Sequence, residues 1–394
     1  MPGAHEGAAE EAARSTSAVL RAPMLICAEK TRKRYRARLF RAAALAFALA
    51  LTAAGNLFAS APSFAQTNAA EFYRGKTLNI VVGYGPGGGY DLYARLLARH
   101  MGPRIPGQPA ISVQNMPGAA SLRATNFIAT SAPKDGTHIA AFDRNMPLIA
   151  ILGGNSNVQF DPLKLTWLGT LSDSSEDAFV VWSRQGNGVN AVQDLRGPAG
   201  PTLTVGVTGI GATDNDIAVL FRDVLKLRIK VVPGYQDSNK IGLAVENGEV
   251  DGQFIGFLTA KATKPTWFGE KTNMRVLAQF ARKTRHPDLP DVPMASELAP
   301  DEEARQLIAM AELPYLVGRP FAGPPDMPAD RARALQSAFI ETARDKAFVD
   351  EARRLKIDVT PLNAEDTLAA VRALADTPVA LKERLRTVLY SNQK

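Results

Sequence analysis

The chain has 394 residues, 46% of them apolar, which is enough for two domains with buried cores and excludes a disordered chain. Its formal charge of +7 is no footprint of nucleic-acid binding, because nine of the 46 Lys and Arg precede Gln66 and the rest of the chain is nearly neutral. The single cysteine, Cys27, lies in that same stretch, so beyond it disulfides, thiol nucleophiles and cysteine-bound metals are excluded.

Residues 1–65 read as an export signal. Lys30 to Arg41 is basic without an acid, Ala42 to Ala54 is apolar except for Thr52, and Ser63-Phe64-Ala65 offers small residues for cleavage. Thirteen residues from Ala42 to Ala54 are too few to span a bilayer comfortably. The leader is long, and a start at Met24 would leave out residues 1–23. Residues 66–75 read as a short tail.

From Leu78 an apolar strand runs into Gly83-Tyr-Gly-Pro-Gly-Gly-Gly-Tyr-Asp91 and an amphipathic helix, with Asp91 expected as its N-cap. Such a turn offers backbone N–H groups at a helix N-terminus, an anion-binding arrangement. Strands are expected at Ile111 to Val113 and Ile139 to Phe142, with a helix over 122–130 between them. After a strand at Phe179 to Trp182, the strand–glycine-loop–helix grammar returns from Leu203. The offset is 125 residues and sets Asp216 over Asp91. A strand at Ile229 to Val232, a helix over 240–246 and apolar strands near Gln253 and Arg275 follow. Proline-rich stretches at 287–300 and 320–328 interrupt the pattern, and 329–390 reads as helical. The alternation predicts parallel sheets covered by helices.

Gly83, Gly85 and Gly88 formally satisfy a dinucleotide fingerprint, which makes an NAD(P)-dependent Rossmann-type oxidoreductase the alternative enzyme reading. That reading needs an acid about twenty residues further on. No Asp or Glu occurs between Leu92 and Lys134. There is no G-x-S-x-G elbow, and His100, His138 and His286 lack metal-ligand spacing. The residues therefore favour binding without chemistry: no enzyme, no cofactor, no metal.

Five motifs in order resemble the substrate-binding proteins of tripartite tricarboxylate transporters, the TctC or Bug family. They are Pro86-Gly87-Gly88-Gly89-Tyr90-Asp91, Asn115-Met116-Pro117-Gly118-Ala119, Pro133 to Thr137, Thr208-Gly209-Ile210-Gly211-Ala212-Thr213-Asp214-Asn215, and Leu289 to Pro293. The sequence departs from that family at Ala212, where a hydroxyl is usual, and at Asn215, where His is common. It departs again at Val232 to Gln236, and at Ile255-Gly256, where an acid often follows the strand.

The resemblance implies an α/β, two-lobed type II periplasmic-binding-protein fold. Each lobe would be a mainly parallel sheet flanked by helices, with a hinge and a central cleft. Lobe 1 would comprise 66–172 plus 290–394, and lobe 2 would comprise 173–289. A small carboxylate would lie between the glycine loops at Pro86, Gly87, Gly88, Asp91, Thr208, Gly209, Gly211, Ala212 and Thr213. Tyr84, Tyr90, Asp143, Arg144, Ser174 and Tyr235 would shape its pocket. The implied role is that of a monomeric periplasmic solute-binding protein serving the membrane components of such a transporter, or a solute sensor without transport.

Overall fold

Two mixed β-sheets, each flanked by helices, organise the chain. The computed structural model describes residues 64–173 and 175–391, all within the unit that begins at Phe64. The export signal up to Ser63 and the pocket position Ser174 lie outside the described residues. In the first sheet the order is β11-β4-β10-β3-β1-β2. Its strands are β1 (Thr77–Val82), β2 (Ala110–Asn115), β3 (His138–Ala141), β4 (Thr166–Thr170), β10 (Pro320–Gly323) and β11 (Leu362–Asn363). In the second the order is β7-β6-β8-β5-β9. Its strands are β5 (Phe179–Arg184), β6 (Leu203–Gly206), β7 (Ile229–Val232), β8 (Gly252–Gly256) and β9 (Met274–Phe280).

The expectation of mainly parallel sheets is corrected. β1 pairs parallel with β2 and β3, and β6 with β7 and β8. The strands at the two passages between the sheets, β4 and β5 at one and β9 and β10 at the other, all pair antiparallel. Local βαβ units enforce parallel pairing, whereas a strand arriving from the other sheet enters from the opposite end.

β1 is laid down by Leu78, Ile80 and Val82, all fully buried, against Leu96 and Leu97 of the Gly89–Met101 helix and Phe339 of the Ala329–Arg344 helix. Residues 66–75 are no tail. The helix Phe64–Tyr73 buries Tyr73, whose hydroxyl donates to the Gly136 carbonyl at 2.9 Å. Nor does 320–328 merely interrupt the pattern. β10 lies between β4 and β3, and its proline is the first residue, where a missing N–H is tolerated.

Assigning 290–394 wholly to the first lobe does not describe the packing. Leu307 and Ile308 of the Glu302–Glu312 helix, with Leu385 and Leu389 of the Val379–Tyr390 helix, join the core under β6 and β8. They cover the Thr213–Asp223 helix, which is buried along nearly its whole length and needs cover on more than one side. No helix among the described residues is long and apolar enough to cross a membrane.

Candidate functional site

The loops that follow β1, β3, β6, β7 and β8 meet where the two sheets face each other. This is the crevice beyond the carboxyl ends of parallel strands, where open α/β sheets place ligands. They line a cavity of about 60 Å³. Tyr84, Tyr90, Arg144 and Arg319 line it from the first sheet's side. Phe179, Phe254, Ile255, Thr208, Thr213, Asp214, Asp237 and Thr259 line it from the second.

Two guanidiniums are held inside by aromatic faces. Arg144, 2% exposed, lies 4.3 Å from the centre of the Tyr315 ring, and its backbone N–H donates to the Tyr90 hydroxyl at 3.0 Å. Arg319, 6% exposed, lies 4.9 Å from the Tyr90 ring and 5.0 Å from the Tyr93 ring. Its side chain donates to the Thr259 hydroxyl at 2.9 Å. Ring faces carry negative potential, so they stabilise a buried guanidinium. Tyr84 stacks on Tyr90 at 5.0 Å and donates its hydroxyl to Asp143 at 2.5 Å.

The expectation of bare loop N–H groups is corrected at two positions. The Gly87 N–H donates to Asp91 at 2.8 Å. In the second loop both the N–H and the hydroxyl of Thr208 donate to Asp214 at 2.8 Å. Asp91 is not the N-cap of its helix. Gly88 holds that place, and Asp91 reaches back from the first turn. Burial would raise the Asp91 carboxyl, but hydrogen bonds from Arg95, Gly87 and Asn115 outweigh it and hold it below the ordinary range. Nor is Asp216 its counterpart. Asp214 makes the equivalent loop contact, while Asp216 accepts from Asn145 at 3.1 Å and Tyr390 at 3.3 Å. Burial pushes Asp214 and Asp216 up to about 7 despite these donors.

The glycines of the nominal dinucleotide fingerprint serve close approach within the protein. A Cβ on Gly83 would lie 1.8 Å from the Ser121 hydroxyl, and one on Gly85 would lie 2.2 Å from an Asp237 carboxylate oxygen. Ser121 ends a run of three left-handed residues with Ala119 and Ala120. Such a run costs roughly 1–2 kcal/mol per residue. It brings the Ser121 hydroxyl to within 3.1 Å of the Asp143 N–H, from which it accepts. The run also lines a second, wider cavity of about 770 Å³, together with Tyr84, Thr208, Gly209 and Tyr235.

Of the residues expected at the site, Tyr84, Gly88, Tyr90, Asp143, Arg144, Thr208 and Thr213 line the inner cavity. Gly209 and Tyr235 line only the wider one. Pro86, Gly87, Asp91, Gly211 and Ala212 line neither. Gly211 instead packs on Ile149, and Ala212 is the buried N-cap position of the Thr213–Asp223 helix. Sequence reasoning missed Arg319, Asp237 and Thr259, and took Asp214 only as part of a motif. Arg319 stands at the head of a strand that was read as a proline-rich interruption, and that strand start was the available signal.

The fold and cleft define a two-lobed architecture of the periplasmic-binding-protein type. No family model matches the chain. A UPF0065 protein of Bordetella pertussis is 24% identical over 285 residues, 71% of this chain and 80% of that protein. The periplasmic binding protein BugD superposes with a TM-score of 0.61 at 19% identity, covering 80% of this chain and 98% of its own. MatC from Rhodopseudomonas palustris, solved with bound malate, gives 0.59 at 19%, covering 79% and 98%. A second R. palustris protein, solved with adipate, gives 0.61 at 19%, covering 80% and 97%. These structural likenesses show that the chain shares the fold of those three proteins.

Proposed function

We propose that the chain is a periplasmic solute-binding protein that captures a small organic carboxylate between its two sheets. It would hand that solute to the membrane components of a tripartite tricarboxylate-type transporter. The observation that carries this reading is the pair of buried guanidiniums, Arg144 and Arg319, lining one cavity. A guanidinium recognises a carboxylate through paired N–H donors, and hydrogen bonds to a charged partner are worth about 1.5–3 kcal/mol each. The bound malate and adipate of the two R. palustris neighbours support the same ligand class.

On this reading the hinge lies within the two passages between the sheets, and Tyr84, Tyr90, Arg144, Arg319, Thr208 and Thr213 surround the ligand. The export signal would be removed near Ala65, and terminal sequencing of the exported form should begin close to Gln66. A thermal-shift screen of the mature protein against mono-, di- and tricarboxylates tests the core of the proposal, because a ligand that binds only the native state raises stability. At least one carboxylate should raise Tm. No shift with any of them at millimolar concentration would overturn the reading.

A further inference from the structure

The charges around the inner cavity do not suit a plain polycarboxylate. Two guanidiniums line it, those of Arg144 and Arg319, but so do three carboxylates, those of Asp143, Asp214 and Asp237. The second glycine loop, which would receive a second carboxylate of the solute, is already filled. Asp214 takes the Thr208 N–H and hydroxyl there and turns toward the cavity. An approaching carboxylate would find these loop donors already spent.

Two buried groups in this cavity have bonding capacity left over, and they are of opposite sign. The Arg319 side chain makes one hydrogen bond, to Thr259, and has no ion pair among the described residues, although a guanidinium carries five N–H donors. Asp237, 2% exposed, caps the Ser238–Glu246 helix with Oδ1, which accepts from the N–H groups of Asn239 at 2.8 Å and Lys240 at 3.0 Å. Its Oδ2 has no hydrogen-bond partner among the described residues. A cavity with an open anion-binding group and an open cation-binding group is complementary to a ligand that carries both charges.

We propose that the solute is an amino-bearing carboxylate, its carboxylate on Arg319 and its ammonium on the wall formed by Asp237, Asp214 and Asp143. This rests on the solute-binding reading and narrows it, away from plain dicarboxylates such as the malate and adipate bound by the two neighbours.

Calorimetry with matched pairs tests it: succinate against aspartate, glutarate against glutamate, propionate against β-alanine. In at least one pair the amino form should bind tenfold or more tightly. Asp237→Asn keeps a good N-cap and so keeps the helix. It should lower affinity for the amino form about tenfold while leaving the plain partner bound at least as tightly as before. Arg319→Gln should weaken the amino form as strongly. Plain acids binding as tightly as their amino partners would overturn this inference and leave carboxylate capture standing. An amino preference that survives both Asp237→Asn and Asp214→Asn would also overturn it. Absence of binding by every member of every pair, with plain tricarboxylates equally silent, would overturn both readings.

Discussion

The Thr213 hydroxyl donates to the Asp143 carboxylate at 2.7 Å, joining the first turn of a helix behind the second sheet to the loop that leaves β3 of the first. Both residues are buried. Thr213→Val keeps the volume and removes the donor. The loss of a buried bond to a carboxylate should cost about 1.5–3 kcal/mol in urea denaturation. Thr213→Ser should recover most of it. A valine variant as stable as the parent would mean that this contact contributes nothing.

Gly85 faces Asp237 across the cleft with no room for a methyl group. The clash at 2.2 Å is with a short side chain already fixed by its cap bonds. Gly85→Ala should therefore push the two sheets apart. Small-angle scattering should report a larger radius of gyration for the alanine variant than for the parent. Equal radii would show that Asp237 yields instead.

Burial holds four carboxyls above their ordinary range: Asp214, Asp216 and Glu312 up to about 7, and Asp177 up to about 6. Their unfolded values lie near 4, so between about pH 4 and 7 the native state binds more protons than the unfolded chain. Their contribution is complete below about pH 4 and is lost as pH rises through about 6 and 7. His138 and His286, held below their usual range by burial, act in the opposite sense around and below about pH 6.5, two groups against four. Chemical denaturation should give a smaller unfolding free energy at about pH 8 than at about pH 6.5. Asp216→Asn should flatten that slope, and a rising profile in the parent would contradict the assignment.

Asp91 accepts hydrogen bonds from Gly87, Arg95 and Asn115. A simple cap is worth about 0.5–2 kcal/mol. Removing Asp91 leaves three donors without their acceptor, so Asp91→Ala should cost about 2–4 kcal/mol, beyond the range of a cap. A loss under about 1 kcal/mol would return Asp91 to the role of an ordinary first-turn acid.

What could be read from the sequence was local. An apolar run, a glycine turn and an amphipathic helix recur at Leu78 and Leu203 because each unit is decided within some twenty-five residues, and both stand where expected. Tyr84, Tyr90, Arg144 and Thr213 were accessible for the same reason, since each sits in or beside a strand-end loop. Pairings made at a distance were not accessible. The antiparallel entry of β10 depends on a passage from β9 to Pro320, and no local periodicity records it. Arg319 inherits that difficulty. The exchange of Asp216 for Asp214 at the second loop turns on the start of one helix at Thr213, a difference of a residue or two that periodicity does not resolve.

Direct hydrogen bonds bridge the cleft. Asn239 donates to the Gly87 carbonyl at 2.6 Å, Arg319 holds Thr259, and Thr213 holds Asp143. On the solute-binding reading, these bonds must give way before a solute seats between the sheets. Capture then has a clock of its own: the observed rate in stopped-flow mixing should climb with solute concentration and level off at the rate at which the protein opens. Scarce solute would be taken up at the pace of encounter, and abundant solute at a pace set by the protein alone.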